Sequence, residues 1–315
     1  MNLNQIKFSL AVVINLLTAI TFGYFCFLGK NFETLGDKRE SITFTVIITL
    51  LLIGTSLGAK FLKQTKRNFK SCLIMEIVLI ILFSVLMACF TYLSFSHYFT
   101  VSEKQSEIKE KLDSSIAQAE NMYVKYEEYV ENRETIYKAN LGSAILLMES
   151  GVSDNDFKKY GFKDKSISIS YPDQIKKKMR TIHLDLLPDF ENIKRINTTW
   201  LYNSKNDVDN WKPIGLVDVI NNIEKYSYEW KNDLIEISNK TQVGEGLVDP
   251  FKYNLTTNEV KDYFTTKNNP TTLSLVYAIL LYVFMILAWV FTKRESGKAG
   301  GNPLFGIGRN TENEL

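Results

Sequence analysis

The chain has 315 residues, of which 45% are hydrophobic, and its formal net charge is only +2. A charge so close to zero excludes the strongly basic composition of most nucleic-acid-binding proteins, so we expect no nucleic acid partner. The averages resemble those of a soluble protein, but the apolar residues crowd into four segments, whereas residues 99–269 are strongly polar.

The four apolar segments are long enough to cross a membrane as helices. They are residues 8–29, 42–59, 71–95 and 270–292. A span needs about 20 apolar residues at a rise of about 1.5 Å each, and the second segment lies at the short end of the permitted range. The first segment is too long for the apolar part of a cleaved signal peptide, so we interpret it as an uncleaved signal anchor.

Basic residues in the short loop between the second and third spans predict the orientation. This loop contains no acidic residue and carries five cations, Lys60, Lys63, Lys66, Arg67 and Lys70. Because Lys and Arg collect in cytoplasmic loops, we expect both termini in the cytoplasm and residues 99–269 on the opposite side. The Asn- and Lys-rich composition favours a bacterial inner-membrane protein, surrounded by the lipid bilayer, whose polar domain is periplasmic.

The polar domain begins with a long helix, which the pattern places at about residues 101–141. Its apolar residues recur every three or four positions from Leu112 to Val130, and once more seven positions later. They are Leu112, Ile116, Ala119, Tyr123, Tyr126, Val130 and Tyr137. Such a stripe is typical of a coiled-coil seam with another chain, and also of a helix that packs on its own domain, which the tyrosines in the stripe favour. Both interpretations stay open at this point.

The remainder of the domain predicts one strand and several helices. Residues 166–171, SISISY, alternate apolar and polar side chains and precede Pro172, which predicts a short half-buried strand. Helical spacing follows at residues 173–187 and 215–238. We therefore predict a membrane protein with four transmembrane α-helices and a mostly helical α+β periplasmic domain inserted between spans three and four, at residues 99–269.

Residue types that carry catalysis or bind metals are scarce in this chain. It has two histidines, His97 and His183, and three cysteines that all fall within predicted spans, Cys26, Cys72 and Cys89. The sequence lacks the spacings typical of a zinc site, a phosphate-binding loop or a hydrolase nucleophile. We therefore expect no catalytic residue, no cofactor and no metal, and we expect that the protein is not an enzyme.

Two polar residues interrupt the apolar segments and form a candidate intramembrane polar site. Asn15 lies in the first span and Glu76 lies in the third. An intramembrane carboxylate often marks an ion or proton path. Glu76 also follows Lys70 by only six residues, so a glutamate that extends to the cytoplasmic face or pairs with Lys70 is the simpler interpretation.

Two further segments predict contacts with other helices or proteins. Gly54 and Gly58 have the G-x-x-x-G spacing, which lets helices approach closely in a membrane, either within the chain or in a homo-oligomer. Residues 293–315 form a glycine-rich cytoplasmic tail that is flexible by composition. Within this tail we predict a partner-docking segment at Leu304, Phe305 and Ile307, although a tail without structure is an equal alternative.

The order of the segments points to a known family. Three spans, FSLAVVINLL, ITFTVIITLLL and CLIMEIVLIIL, precede the polar block, and a fourth, LVYAILLYVFMILAWVF, follows it. In this layout the chain resembles the TssN family, multi-span inner-membrane subunits of the type VI secretion systems of Bacteroidota. The resemblance covers the whole chain through this arrangement alone, so it transfers no functional residue. It implies a secretion-system subunit in a protein complex.

Three functions are compatible with these observations. The first is a non-enzymatic assembly subunit of an envelope-spanning complex, with other envelope proteins as partners on both sides of the membrane. The second is a sensor or receptor whose periplasmic domain binds a ligand and which signals through a docked partner. The third is an ion-conducting motor or transporter subunit, which predicts that the Glu76→Gln substitution abolishes function while leaving assembly intact.

Overall fold

A computed structural model describes residues 10–65, 69–164, 169–240, 249–255 and 260–293. In chain order its helices are α1 (Leu10–Glu33), α2 (Lys38–Lys63), α3 (Phe69–Phe90), a π-helical turn (Thr91–Phe95), α4 (Ser96–Glu103), α5 (Gln105–Glu149), α6 (Asn155–Lys159), α7 (Tyr171–Leu186), α8 (Phe190–Asp209), α9 (Pro213–Lys240), α10 (Lys261–Thr265) and α11 (Thr272–Val290).

Within the described ranges, four helical segments are long and apolar enough to cross a membrane, as the sequence predicts. They are Leu10–Glu33, Lys38–Lys63, Lys70–Glu103 and Thr272–Val290. The third segment comprises α3, the π-helical turn and α4, and it continues eight residues beyond the predicted end at Phe95 because the backbone stays helical through the turn. These four helices fit the membrane part of the predicted fold.

The prediction of an α+β domain is wrong, because the described part of residues 99–269 contains helices and no strand. Of the predicted strand at 166–171, residues 166–168 lie outside the described ranges. Ser170 instead starts α7, since its side chain accepts a hydrogen bond from the backbone N–H of Asp173. A serine cap followed by Pro172 and Asp173 is typical of a helix start, and an isolated strand would leave its backbone groups unpaired.

The chain divides into two compact units. Unit 1 lies within Met1–Ile108 and Val260–Leu315 and holds the four candidate spans, and unit 2 lies within Lys109–Glu259. In unit 1, α1 packs against α2 and α11, and α2 packs against α3. Aromatic rings fill one end of this bundle, where the ring of Phe22 stacks on Phe95 at 4.7 Å.

Unit 2 has its own core, in which aromatic side chains from α5 meet α8, α9 and the segment at residues 249–255. The ring centroid of Tyr126 lies 5.6 Å from that of Phe190 and 5.1 Å from that of Phe251. Arg133 is 8% exposed and donates to the carbonyl of Ser238 at 2.6 Å, in the last turn of α9. A cation there interacts favourably with the helix dipole and ties α9 to α5.

The stripe along α5 packs inside its own chain rather than on a second chain. All seven residues of the stripe are buried within the chain itself, namely Leu112, Ile116, Ala119, Tyr123, Tyr126, Val130 and Tyr137. Their apolar surface is therefore already covered by the chain's own helices. Of the two interpretations of the stripe, the structure supports the intramolecular helix and leaves no room for these residues in a coiled-coil seam.

Candidate functional site

Asn15 joins three of the membrane helices. It lies on α1, is fully buried, and donates from Nδ2 to Ser56 Oγ on α2 at 3.0 Å and to the carbonyl of Met285 on α11 at 2.5 Å. Ser56 Oγ also donates to the carbonyl of Leu52 at 2.7 Å within its own helix. A buried amide costs free energy unless it is hydrogen-bonded, so these contacts stabilise one arrangement of the three helices.

Glu76 forms a second connection, which joins α3, α11 and α2. Its side chain is 1% exposed, and Oε1 accepts a hydrogen bond from Trp289 Nε1 at 2.8 Å. Lys63 Nζ donates to the carbonyl of Trp289 at 2.8 Å and lies 4.4 Å from the centroid of its ring. The carboxylate of Glu76 therefore lies inside the bundle rather than extended to its surface.

The two connections meet α11 at neighbouring positions. Met285 and Trp289 are four residues apart, about one helical turn, so the contacts of Asn15 and Glu76 lie one above the other along α11. We call the five side chains that make them the intramembrane polar cluster, which consists of Asn15, Ser56, Lys63, Glu76 and Trp289. Its hydrogen bonds join all four membrane helices.

The sequence predicts two members of the cluster and misses three. Asn15 and Glu76 stand out as polar residues in apolar segments. Ser56 is inconspicuous in a membrane helix, Lys63 counts as a loop charge, and Trp289 looks like an aromatic residue at a membrane interface. One signal was available, because Trp289 is the only tryptophan in the predicted spans and a buried carboxylate needs a donor such as an indole N–H.

The glycines that allow close helix contacts are mostly not those of the predicted motif. Gly58 faces Leu79 on α3, where an added Cβ would lie 3.2 Å from Leu79 Cδ1, while Gly54 is exposed with nothing within 4 Å among the described residues. On α1, a Cβ at Gly23 would lie 2.2 Å from Thr49 Oγ1, and one at Gly29 would lie 1.8 Å from the carbonyl oxygen of Ser94. Gly23 and Gly29 are six residues apart, so they do not match the G-x-x-x-G pattern.

The two histidines have structural partners. His97 is 2% exposed, and its Nε2 lies 2.7 Å from the carbonyl oxygen of Phe264, which joins α4 to α10. His183 Nδ1 lies 2.8 Å from Glu134 Oε1 at the surface of unit 2. The predicted docking residues Leu304, Phe305 and Ile307 lie outside the described residues.

Neither similarity to known proteins nor a metal-binding group of side chains assigns a function to this chain. Among the described residues, no three His, Cys, Asp or Glu side chains are grouped so that they could hold a metal ion. The chain matches no protein-family model, no curated protein and no solved structure. Function therefore has to be inferred from the contacts within this chain.

We expect Asn15→Leu to destabilise the membrane unit by about 1–2 kcal/mol, because it removes two hydrogen bonds between helices in an apolar environment. The measurement is thermal unfolding of the full-length protein in detergent. Asn31→Leu is the matched control, since Asn31 is also fully buried on α1. Neither its Nδ2 nor its Oδ1 has a hydrogen-bond partner among the described residues. Equal stability of the two variants would show that the contacts of Asn15 contribute nothing.

Proposed function

We propose that this chain is a non-enzymatic assembly subunit of an envelope-spanning complex in a bacterial inner membrane. Unit 1 is its anchor, and the intramembrane polar cluster holds the four helices of that anchor in one arrangement. Unit 2 is its docking domain. The cluster supports an anchor rather than an ion path, because Asn15 and Glu76 are engaged by Ser56, Met285 and Trp289 on other helices.

The observation that carries this proposal is an exposed apolar patch at the end of α5. Val124 of α5 is 46% exposed, but the apolar residues that continue the stripe pack inside the chain as far as Ile145, which is 7% exposed. The next apolar residues do not, since Leu146 is 67% exposed, Leu147 is 37% exposed and Val152 is 72% exposed. We call these three residues the α5-end patch. The three residues are close together along the chain, and neighbouring exposed apolar side chains are typical of protein-interaction sites.

The α5-end patch is held in a defined turn. The backbone N–H of Val152 donates to the carbonyl of Leu147 at 3.0 Å, and that of Gly151 donates to the carbonyl of Met148 at 3.0 Å. These two bonds form a Schellman motif, with Gly151 at a φ of 73°. The patch therefore presents a preformed surface, which lowers the entropy lost when an apolar surface of a partner protein binds.

The proposed orientation and the proposed kind of complex rest on the sequence. The basic loop at residues 60–70 supports cytoplasmic termini, which places residues 99–269 in the periplasm. The layout of spans resembles that of the TssN family, which makes a type VI secretion membrane complex the most specific form of the proposal. The partners would then be other envelope proteins, reached by unit 2 in the periplasm and by residues 293–315 in the cytoplasm.

The test is a double variant of the patch, Leu146→Lys with Val152→Lys. Lysine suits the end of a helix because of the helix dipole, so the fold should be kept. When extracted from the membrane of its own host, the wild-type chain is expected in a large particle. The variant is expected in a small particle. Particle size is measured after extraction in mild detergent, and thermal unfolding is measured on the same samples.

The matched control is Leu184→Lys with Ile196→Lys. These residues are 58% and 55% exposed, on α7 and α8, outside the patch. The control should remain in the large particle. If the patch variant also remained there, or if both variants were lost equally, the patch would not be the docking surface.

A groove in unit 2 favours a second function, that of a ligand sensor. It lies between α5 and α7 and has a volume of about 750 Å³. Its lining includes acidic and basic side chains, namely Glu131, Glu134, Lys138 and Lys176. Volumes of this order are typical of small-molecule sites. Recovery of wild-type protein as a lone particle that a small molecule stabilises against heat would favour the sensor over the assembly subunit.

A further inference from the structure

Lysines from three helices gather at the end of unit 1 where α2 and α11 end and α3 begins. We call this group the basic end, and its described members are Lys60, Lys63, Lys70 and Lys293. Acidic residues are scarce in the same helices. The only one in α2 is Glu40, in its first turn, the only one in α3 is Glu76, and α11 has none. The basic end therefore carries a local excess of positive charge.

The contacts of Trp289 hold these three helix ends together. Lys63 Nζ donates to the carbonyl of Trp289 at 2.8 Å, and Trp289 Nε1 donates to Glu76 Oε1 at 2.8 Å. Lys293 follows Trp289 by only four residues, and Lys70 precedes Glu76 by six, which is about 9 Å along α3. Both Lys70 and Lys293 are exposed. Their charges therefore lie at the same end of the bundle and face its surroundings.

Two exposed phenylalanines indicate the depth of the basic end in the bilayer. Phe61 is 55% exposed and directly follows Lys60, and Phe291 is 74% exposed and precedes Lys293 by two residues. Both belong to or adjoin helices that are long and apolar enough to cross a membrane. An exposed phenyl ring is stable beside acyl chains, whereas a lysine extends its ammonium group to the membrane surface. The two lysines therefore reach the level of the lipid headgroups.

We propose that the basic end binds the phosphate groups of anionic phospholipids, in the leaflet at which α2 and α11 end. A zwitterionic lipid carries its own cation beside the phosphate, whereas an anionic lipid supplies the net negative charge that complements the lysines. Lysine clusters that adjoin a membrane span are typical of this recognition. Lys70 and Lys293 make the headgroup contacts, while Lys63 holds the end of α11. The binding is separate from the α5-end patch, which belongs to unit 2.

The experiment uses the full chain in detergent, mixed with phosphatidylglycerol or with phosphatidylethanolamine that has the same acyl chains. Native mass spectrometry counts the lipids that stay bound, and thermal unfolding measures how much each lipid stabilises the protein. We expect several-fold more phosphatidylglycerol to be retained, and its stabilising effect to fall as salt is raised, because salt screens exposed charges. Equal retention of the two lipids would overturn the proposal. Equal stabilisation by inorganic phosphate alone would also overturn it, since the site would then bind a free anion.

Charge variants separate the basic end from the rest of unit 1. Lys70→Gln with Lys293→Gln should lower the preference for phosphatidylglycerol several-fold, whereas Lys70→Arg with Lys293→Arg should keep it. The matched control is Lys38→Gln with Arg39→Gln, which removes two exposed cations at the opposite end of α2. An unchanged lipid preference in the folded glutamine variant, or an equal loss of preference in the control, would contradict a lipid site at the basic end.

Discussion

Tyr126→Ala is expected to lower the stability of unit 2 by about 3–5 kcal/mol, the usual cost of removing a buried aromatic side chain from a core. Tyr126 is fully buried, its ring contacts those of Phe190 and Phe251, and its hydroxyl donates to the carbonyl of Leu186 at 2.9 Å. One residue therefore holds together α5, the start of α8, the end of α7 and the segment at residues 249–255. The loss is measured by thermal unfolding of the full-length protein, followed by circular dichroism.

Tyr126→Phe separates the ring from the hydroxyl. Burial raises the pKa of Tyr126, so the hydroxyl stays protonated and acts as a donor. Removing it leaves the buried carbonyl of Leu186 without this donor, which costs about 1–3 kcal/mol. Tyr202→Ala is the surface control, since Tyr202 is 72% exposed. A Tyr126→Ala protein as stable as Tyr202→Ala would contradict the described core.

Gly29→Ala is expected to destabilise unit 1 by about 1–3 kcal/mol, the cost of overpacking a close contact. The added Cβ would lie 1.8 Å from the carbonyl oxygen of Ser94, 2.9 Å from its carbonyl carbon and 3.2 Å from the backbone nitrogen of Tyr98. All three are backbone atoms, so α1 has to move away from the π-helical turn as a whole. Heat or detergent denaturation of the purified protein measures the effect.

Gly54→Ala is the matched control for this prediction. Gly54 lies in α2, and a Cβ added there would meet nothing within 4 Å in the described part of the chain, so alanine should be neutral, or stabilising by up to about 1 kcal/mol through its helix propensity. The two glycines are therefore expected to differ in the sign of the effect. A destabilised Gly54→Ala protein would contradict this expectation and would mean that Gly54 is in close contact with another helix.

The membrane helices and the long helix α5 were predictable because local patterns encode them. Runs of apolar residues mark the spans, and the stripe of buried residues marks α5. The end of α5 was less predictable. The helix continues through Gly142 and ends at Glu149, because Gly151 adopts the left-handed conformation that closes the turn. From the sequence alone, either Gly142 or Gly151 could have ended the helix.

The predicted strand at 166–171 failed for a different reason. Two-residue alternation over six residues resembles a strand, but strand pairing is a property of the whole fold, and the described residues contain no partner strand. The candidate intramembrane polar site was predictable only in part, for the same reason. Asn15 and Glu76 were visible as polar residues in apolar segments, but their bonds to Ser56 and Trp289 depend on which helices are neighbours.

The assembly role is tested most directly by the native size of the wild-type protein. The tagged chain is extracted from its own host in mild detergent, its particle is sized, and co-purifying proteins are identified by mass spectrometry. The proposed function predicts a large particle that contains other envelope proteins and depends on the α5-end patch. A lone monomer or small homo-oligomer would contradict it.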